Sequence, residues 1–187
     1  MKKRCPWANQ SSVEQDYHDH QWGRPTKDDA TLFEFLILEL MQAGLSWKTI
    51  LIKQAAFKTH LDGFDYHKIA QYDQEKLNQL MQEPSIIRNK LKIEATINNA
   101  QKFLEVQKEF GSFSNYLWAF TDYQVIDYQP KTSSEVLTTN ELAKTITKDL
   151  KKRGFKFLGP TIVYSYLQAM GLINDHLMDC FVRSETP

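Results

Sequence analysis

Cysteine, glycine and proline are all scarce in this sequence, and no part of it stays apolar for long. Its 187 residues hold seven glycines and six prolines. That is too few turn formers for an all-β sandwich or barrel, which needs a turn every ~8–12 residues. The two cysteines, Cys5 and Cys180, cannot form a disulfide scaffold, and a chain of this length buries a full core without covalent staples. The most apolar stretch, Leu32 to Met41, is broken by Glu34 and Glu39 and falls far short of the ~20 residues of a membrane span. Nor does a signal peptide open the chain, since Met1-Lys2-Lys3-Arg4 runs through Cys5-Pro6-Trp7 into a polar segment. Net charge is also lacking: 23 basic residues balance 23 acidic ones, so a polyanionic partner would have to be met by a local patch. These absences predict a cytoplasmic protein without a membrane partner, folded as one domain over residues 1–187.

What the chain does have is helix punctuation, which predicts an all-α fold of short helices joined by short connections. Residues 26–29 start a helix that Gly44 stops, apolar on every side and therefore buried. Ser46 can cap a second helix from Trp47 to about Lys58, and a shorter one spans about Asp73 to Gln82. Ser85 is expected to open a long amphipathic helix closed by Gly111, with another from Ser112 to Phe120. Pro130 and a Ser/Thr cluster make residues 127–139 the best candidate loop. Two last helices follow, Asn140 to Arg153 and Pro160 or Thr161 to about Gly171.

Three constellations carry chemistry. Between Lys144 and Lys156 six basic residues face one acid, Asp149, and residues 151–161 (KKRGFKFLGPT) join two helices. Glycines there let backbone N–H groups approach an anion, and the following helix N-terminus adds a favourable dipole, which suits a phosphate of a nucleic-acid backbone. A solvated, basic helix C-terminus would look the same. Second, His176 and Cys180 share a helical face, and Cys5 with His18 can complete a tetrahedral zinc site of structural type that ties the termini together. His20 competes as a ligand, and two buried cysteines or a disulfide are the plainer alternatives. Third, Trp7, Tyr17, Trp22 and Trp47 crowd the N-terminal quarter, with Glu39 and Gln42 between the last two. Aromatic faces stack on a nucleobase and attract a cation, and a carboxylate among them favours a cationic base. Core packing is the common use of such aromatics, and Trp118 is assigned to it. Periodicity does not choose between Glu34 and Glu39. Nucleotide-binding glycine loops, nucleophile elbows and zinc-protease motifs are all missing.

Over nearly its whole length the chain resembles the 3-methyladenine DNA glycosylase I family. The matching strings are Arg4-Cys5-Pro6-Trp7, Tyr17-His18-Asp19, Trp22-Gly23, Leu38-Glu39, Gln42-Ala43-Gly44-Leu45-Ser46-Trp47, Ile86-Ile87-Arg88-Asn89-Lys90, residues 152–161, and Asn174-Asp175-His176. The resemblance implies a helix-hairpin-helix glycosylase fold with a structural zinc on Cys5, His18, His176 and Cys180. It implies binding of alkylated double-stranded DNA and hydrolysis of the N-glycosidic bond of 3-methyladenine, which is released as product. By position, Glu39 matches the carboxylate contacting the base, and Tyr17 and Trp47 match pocket aromatics, with Trp7, Trp22 and Gln42 beside them. The hairpin matches the DNA anchor, through Lys152, Arg153, Gly154, Lys156, Gly159 and Thr161. No lysine matches a nucleophile, so the expected enzyme is monofunctional.

Gln21 and His20 depart from the family pattern, which usually has an acid just before Trp22. Asp175, the one acid between Thr161 and Leu177, is the remaining candidate for the catalytic aspartate of the wider superfamily, although its neighbour His176 is assigned to metal. Two other readings stand beside the enzyme: a non-catalytic DNA- or base-binding protein of the same fold, and a helical scaffold whose Cys/His cluster is only a staple.

Overall fold

A computed structural model describes residues 2–185 of the chain. The fold is helical and is organised around α2 (Asp29–Gln42), which α3 (Trp47–His60), α6 (Lys90–Phe110), α7 (Phe113–Ala119) and α9 (Pro160–Ala169) surround. That encirclement explains why α2 is apolar on every side: Leu32, Leu36, Leu38 and Leu40 are all fully buried. Each such side chain contributes about 1.5–3 kcal/mol relative to exposure. The Asp28 carboxylate starts α2 by accepting from the Thr31 N–H, and Ser46 does the same for α3 through the Thr49 N–H. The remaining helices are α1 (Ser12–His20), α4 (Tyr66–Ile69), α5 (Gln74–Gln82) and α8 (Glu141–Lys152), the last packed against α9. Trp118 lies in the core as expected, its indole N–H donating to the Thr26 carbonyl at 2.8 Å. No helix among the described residues is long and apolar enough to cross a membrane.

Several features differ from the sequence reading, among them the one-turn helix α4, which has no counterpart in it. The long helix α6 begins at Lys90 rather than Ser85, because the Ser85 hydroxyl and N–H both turn back onto the Glu83 carboxylate. The cap is Asn89, whose side chain accepts from the Lys92 N–H at 3.1 Å. Helix α1 was not foreseen. Its signal is a capping box: Ser11 accepts from the Glu14 N–H while its hydroxyl donates to the Glu14 carboxylate. Finally, β1 (Ile126–Asp127) pairs in parallel with β2 (Ile173–Asn174), and two residues are too few for an alternating pattern to register. This pairing sets the expected loop, residues 127–139, against the segment that carries Asp175 and His176.

Gly171, just after α9, has φ +72°, and a Cβ there would sit 2.3 Å from the Pro25 backbone nitrogen. Both the conformation and the close approach require glycine. Gly171→Ala is therefore expected to lower unfolding stability by about 2–4 kcal/mol, read by urea denaturation. A wild-type midpoint in that variant would contradict the close approach.

Candidate functional site

The two ends of the chain meet. Cys5, His18, His176 and Cys180 are all buried, and one potential ligand atom from each lies within 4.8 Å of the others. Cys180 Sγ is 3.4 Å from His18 Nε2 and 3.6 Å from His176 Nδ1, and Cys5 Sγ is 3.8 Å from the same Nδ1. A tetrahedron with metal–sulfur bonds of ~2.3 Å and metal–nitrogen bonds of ~2.0–2.1 Å has edges of about 3.3–3.8 Å, which these three separations match, so the cluster could hold a metal ion. The other ring nitrogens are already committed. His18 Nδ1 lies 2.9 Å from Asp19 Oδ1, and His176 Nε2 lies 3.3 Å from the Trp22 carbonyl. Such outer partners fix the tautomer that leaves the inner nitrogens as acceptors. Arg4 in turn forks onto Asp19 and holds its carboxyl below the ordinary range. The hydrogen bond between the two cysteines favours the thiolate of Cys180 and pushes the Cys5 thiol upward, an effect burial adds to at Cys5. Gly23 is needed beside this cluster, since a Cβ would come within 2.7 Å of His176 Nε2. His20 is exposed and bonded to Asp16, outside the cluster, and both cysteines are free thiols. The competing ligand and the disulfide are thereby removed.

Against the cluster lies a cavity of about 430 Å³. Trp7, Tyr17, Trp22 and Trp47 line it together with Glu39 and Gln42, so the whole aromatic constellation converges. Tyr17 is 5.4 Å from Trp47 between ring centroids, and Trp7 sits edge-on to Trp22 at 5.1 Å. Glu39 faces this space from α2 and is only 4% exposed, and its Oε2 has no hydrogen-bond partner. Burial raises its pKa from the ordinary 4.5 to about 8. Burial and the Glu39 charge together push the Tyr17 phenol well above its usual range. Glu34, which periodicity left equivalent, instead reaches the other side of α2, where it accepts from Gln54 at 2.8 Å and meets Lys58. Glu14 and Asp175 also line the cavity, and no lysine, arginine or histidine among the described residues does. A planar cation is the ligand such walls favour, by stacking, by the aromatic quadrupoles and by the carboxyls. Gln21 and His20, the two departures, are exposed and do not line it.

The basic connection between α8 and α9 comes near the same opening, because Thr161, in the first turn of α9, both follows it and lines the cavity. Lys151, Lys152 and Lys156 are exposed. Gly154 has φ +88° and makes the tight turn, its carbonyl accepting from Asn98, while a Cβ on Gly159 would meet no protein atom, so the backbone at Gly159 is bare to an approaching group. Arg153 behaves differently. Its guanidinium binds Asp149 at 2.7 Å and Glu109 at 2.7 Å and lies over the Phe110 and Tyr116 rings. Its charge is thus already matched within the protein, which makes it a brace for the hairpin rather than a free phosphate contact.

The sequence reading missed part of the cavity wall. Ser165 and Gln168 continue the α9 face begun by Thr161, at the i+4 and i+7 positions, and this polar stripe on an apolar helix was legible. Ser133, Val136, Leu137 and Thr138 form another wall, brought there by long-range contacts such as the β1–β2 pairing and the Met178 N–H bond to the Pro130 carbonyl, which nothing local announces. Asp175 is buried and accepts from the Tyr164 hydroxyl at 2.6 Å and from the Gln168 amide at 2.7 Å.

The sequence pattern of the methyladenine glycosylase family matches residues 7–183. A Haemophilus influenzae protein named DNA-3-methyladenine glycosylase is 41% identical over 180 residues, spanning 96% of this chain and 97% of its own. A crystal structure of 3-methyladenine DNA glycosylase I superposes with a TM-score of 0.94 at 40% identity, covering 99% of this chain and 100% of that one. A tyrosine-to-phenylalanine variant of 3-methyladenine DNA glycosylase I, solved in complex with 3-methyladenine, superposes with a TM-score of 0.93 at 40% identity and covers 95% and 96% of the two chains.

The buried Glu39 makes stability depend on pH in a definite direction. Below about pH 4.5 its carboxyl is protonated in folded and unfolded chains alike. As pH rises toward about 8 the unfolded chain ionises while the folded one keeps the proton, so folding loses up to ~1.4 kcal/mol per pH unit. Glu39→Gln removes this loss. The variant's stability is expected to gain steadily on the wild type between about pH 4.5 and 8 and to stay level above that, measured by denaturant unfolding across pH. A pH-independent difference would show that the carboxyl is solvated.

Proposed function

This chain belongs to the methyladenine glycosylase family, and we propose that it excises 3-methyladenine from alkylated double-stranded DNA as a monofunctional DNA-3-methyladenine glycosylase. The observation that carries this reading is the Glu39 carboxyl, buried and without a partner on Oε2 in an aromatic-walled cavity beside an exposed basic turn. A base inside duplex DNA is reached only by turning it out of the stack into such a pocket. Methylation at N3 places a positive charge on adenine and weakens its bond to the sugar. In the pocket, Tyr17 and Trp47 stack on the base, Trp7 and Trp22 back them, and Glu39 with Gln42 meets its polar edge. The bond from C1′ to N9 then breaks with its electron pair passing to the base, which leaves as neutral 3-methyladenine. Water adds at C1′ and releases a proton to solvent, leaving an abasic site. The base departs already activated, so no protonating residue is required. An unmethylated adenine lacks both the activation and the charge that the cavity selects.

In this reading residues 1–187 act as one domain of the helix-hairpin-helix glycosylase type, in the cytoplasm. Lys152, Lys156, Gly154, Gly159 and Thr161 hold the DNA backbone, with Arg153 fixing their turn from behind. Such contacts supply affinity that weakens as salt rises and carries no sequence information. The Cys5, His18, His176 and Cys180 set suits zinc, and with all four positions supplied by protein the metal would tie the termini together without taking part in the reaction. Chelator-free preparations are expected to hold about one zinc per chain, and Cys180→Ser to lose it with a lowered melting temperature. Metal-free protein of unchanged stability would refute the staple.

The decisive assay is release of 3-methyladenine from alkylated duplex DNA. Glu39→Gln is expected to lower kcat/KM by about 10²–10³-fold without unfolding the protein. For the wild type, kcat/KM is expected to rise with pH up to about 8 and then level, because the free enzyme must ionise Glu39 to attract the cation. Wild-type release by the variant would misassign the carboxyl, and duplex binding without any release would favour a non-catalytic binding protein.

A further inference from the structure

One face of α6 carries polar side chains where a core helix is expected to be apolar. Lys92, Thr96 and Asn99 are buried in a stripe that continues as Phe103 and Val106. Burying polar groups is unfavourable unless each is hydrogen-bonded, so their partners show what they serve. The Lys92 ammonium donates to the Met41 carbonyl at 2.9 Å and to the Ala43 carbonyl at 2.6 Å. These carbonyls form the turn that ends α2 and carries Gln42 toward Trp47, at the lip of the cavity. Asn99 grips the hairpin instead. Its amide donates to the Lys156 carbonyl at 2.9 Å and its oxygen accepts from the Lys156 N–H at 2.8 Å. Asn98 adds a bond to the Gly154 carbonyl at 2.8 Å. Beyond this grip Phe157 is exposed and held at φ +60°, a backbone state that an aromatic residue adopts only when its surroundings impose it.

Lys92 and Asn99 lie seven residues apart, about two turns and ~10.5 Å along one helix face. A single rigid element therefore bolts the lip of the base cavity at one point and the basic turn at another. We infer that α6 works as a ruler, and that Lys92 and Asn99 are positioning residues which fix the spacing between the cavity and the backbone anchor. A nucleotide turned into the cavity stays joined to the strand held at the hairpin, so that spacing has one useful value. Neither residue lines the cavity. This inference rests on the glycosylase reading, and it adds that recognition of the base and alignment of the duplex are separable.

The test compares the wild type with Lys92→Met, Asn99→Asp and the double variant. The aspartate keeps the size of Asn99 and its acceptor but removes the donor to the Lys156 carbonyl. Release of 3-methyladenine from alkylated duplex gives kcat/KM, and quenching of tryptophan fluorescence by free 3-methyladenine gives base affinity. Each single change is expected to lower kcat/KM by about 10–100-fold while base affinity moves less than about threefold. Once either bolt is lost the spacing is lost, so the double variant should fall within about threefold of the worse single one. Lys92→Arg, which keeps the charge and donors, replaces Lys92→Met should the latter not fold, with a smaller loss of the same kind expected. Unchanged kcat/KM in the singles, parallel loss of base affinity, or losses that multiply in the double variant would each overturn the ruler. Absence of release by the wild type would overturn the glycosylase reading itself.

Discussion

The cost of keeping one carboxyl out of water governs this structure. Glu39 stands on α2, the helix that four others surround, and its Oε2 has no hydrogen-bond partner. A group placed so expensively is paired when its ligand is paired with it, and a cationic base bound there would restore the charged form that burial disfavours. The aromatic rings act in the same direction, since they stack on any base but attract a charged one more strongly. In the proposed function, selection for a methylated purine follows from the difference between a cation and a neutral isostere, without a contact to the methyl group being required.

The surrounding architecture keeps that cavity open. The rings that wall it continue into the joined termini, where Trp7 meets His18 edge-on at 5.4 Å and Trp22 meets His176 edge-on at 4.5 Å. A cluster of four side chains drawn from both ends of the chain thus fixes one wall, and α2 supplies another. The third comes from α9, whose N-terminal turn is also the exit of the basic hairpin. The aromatic cavity, the closure of the chain and the basic turn share elements, which is how a helical fold of this size places all three in one place.

Much of this was legible in the residues. The caps Asp28, Ser46 and Ser112 mark helices that exist, and the Cys/His quartet and the tryptophans each converge. The failures have local causes. Ser85 looked like a cap but turns onto Glu83, and the capping box at Ser11 was hidden by the polarity of the helix it opens. A choice between Glu34 and Glu39 needs the knowledge of which helices flank α2, which no period in α2 contains. Arg153 counted as a free positive charge until Glu109, forty-four residues away in sequence, was found beside it. Long-range pairing of this kind has no signature in a short window.

The central claim is that the Glu39 carboxyl is protonated in the free protein near neutral pH and ionises when a cationic base enters. Carbon-13 NMR of the labelled side chain, titrated without ligand and again with a cationic N3-methylated purine nucleoside, measures this directly. The account expects a free-protein pKa of about 8 that falls on binding, with a proton released for each ligand bound. A carboxyl that titrates near 4.5 in the free protein, or whose titration ignores the ligand, would contradict it.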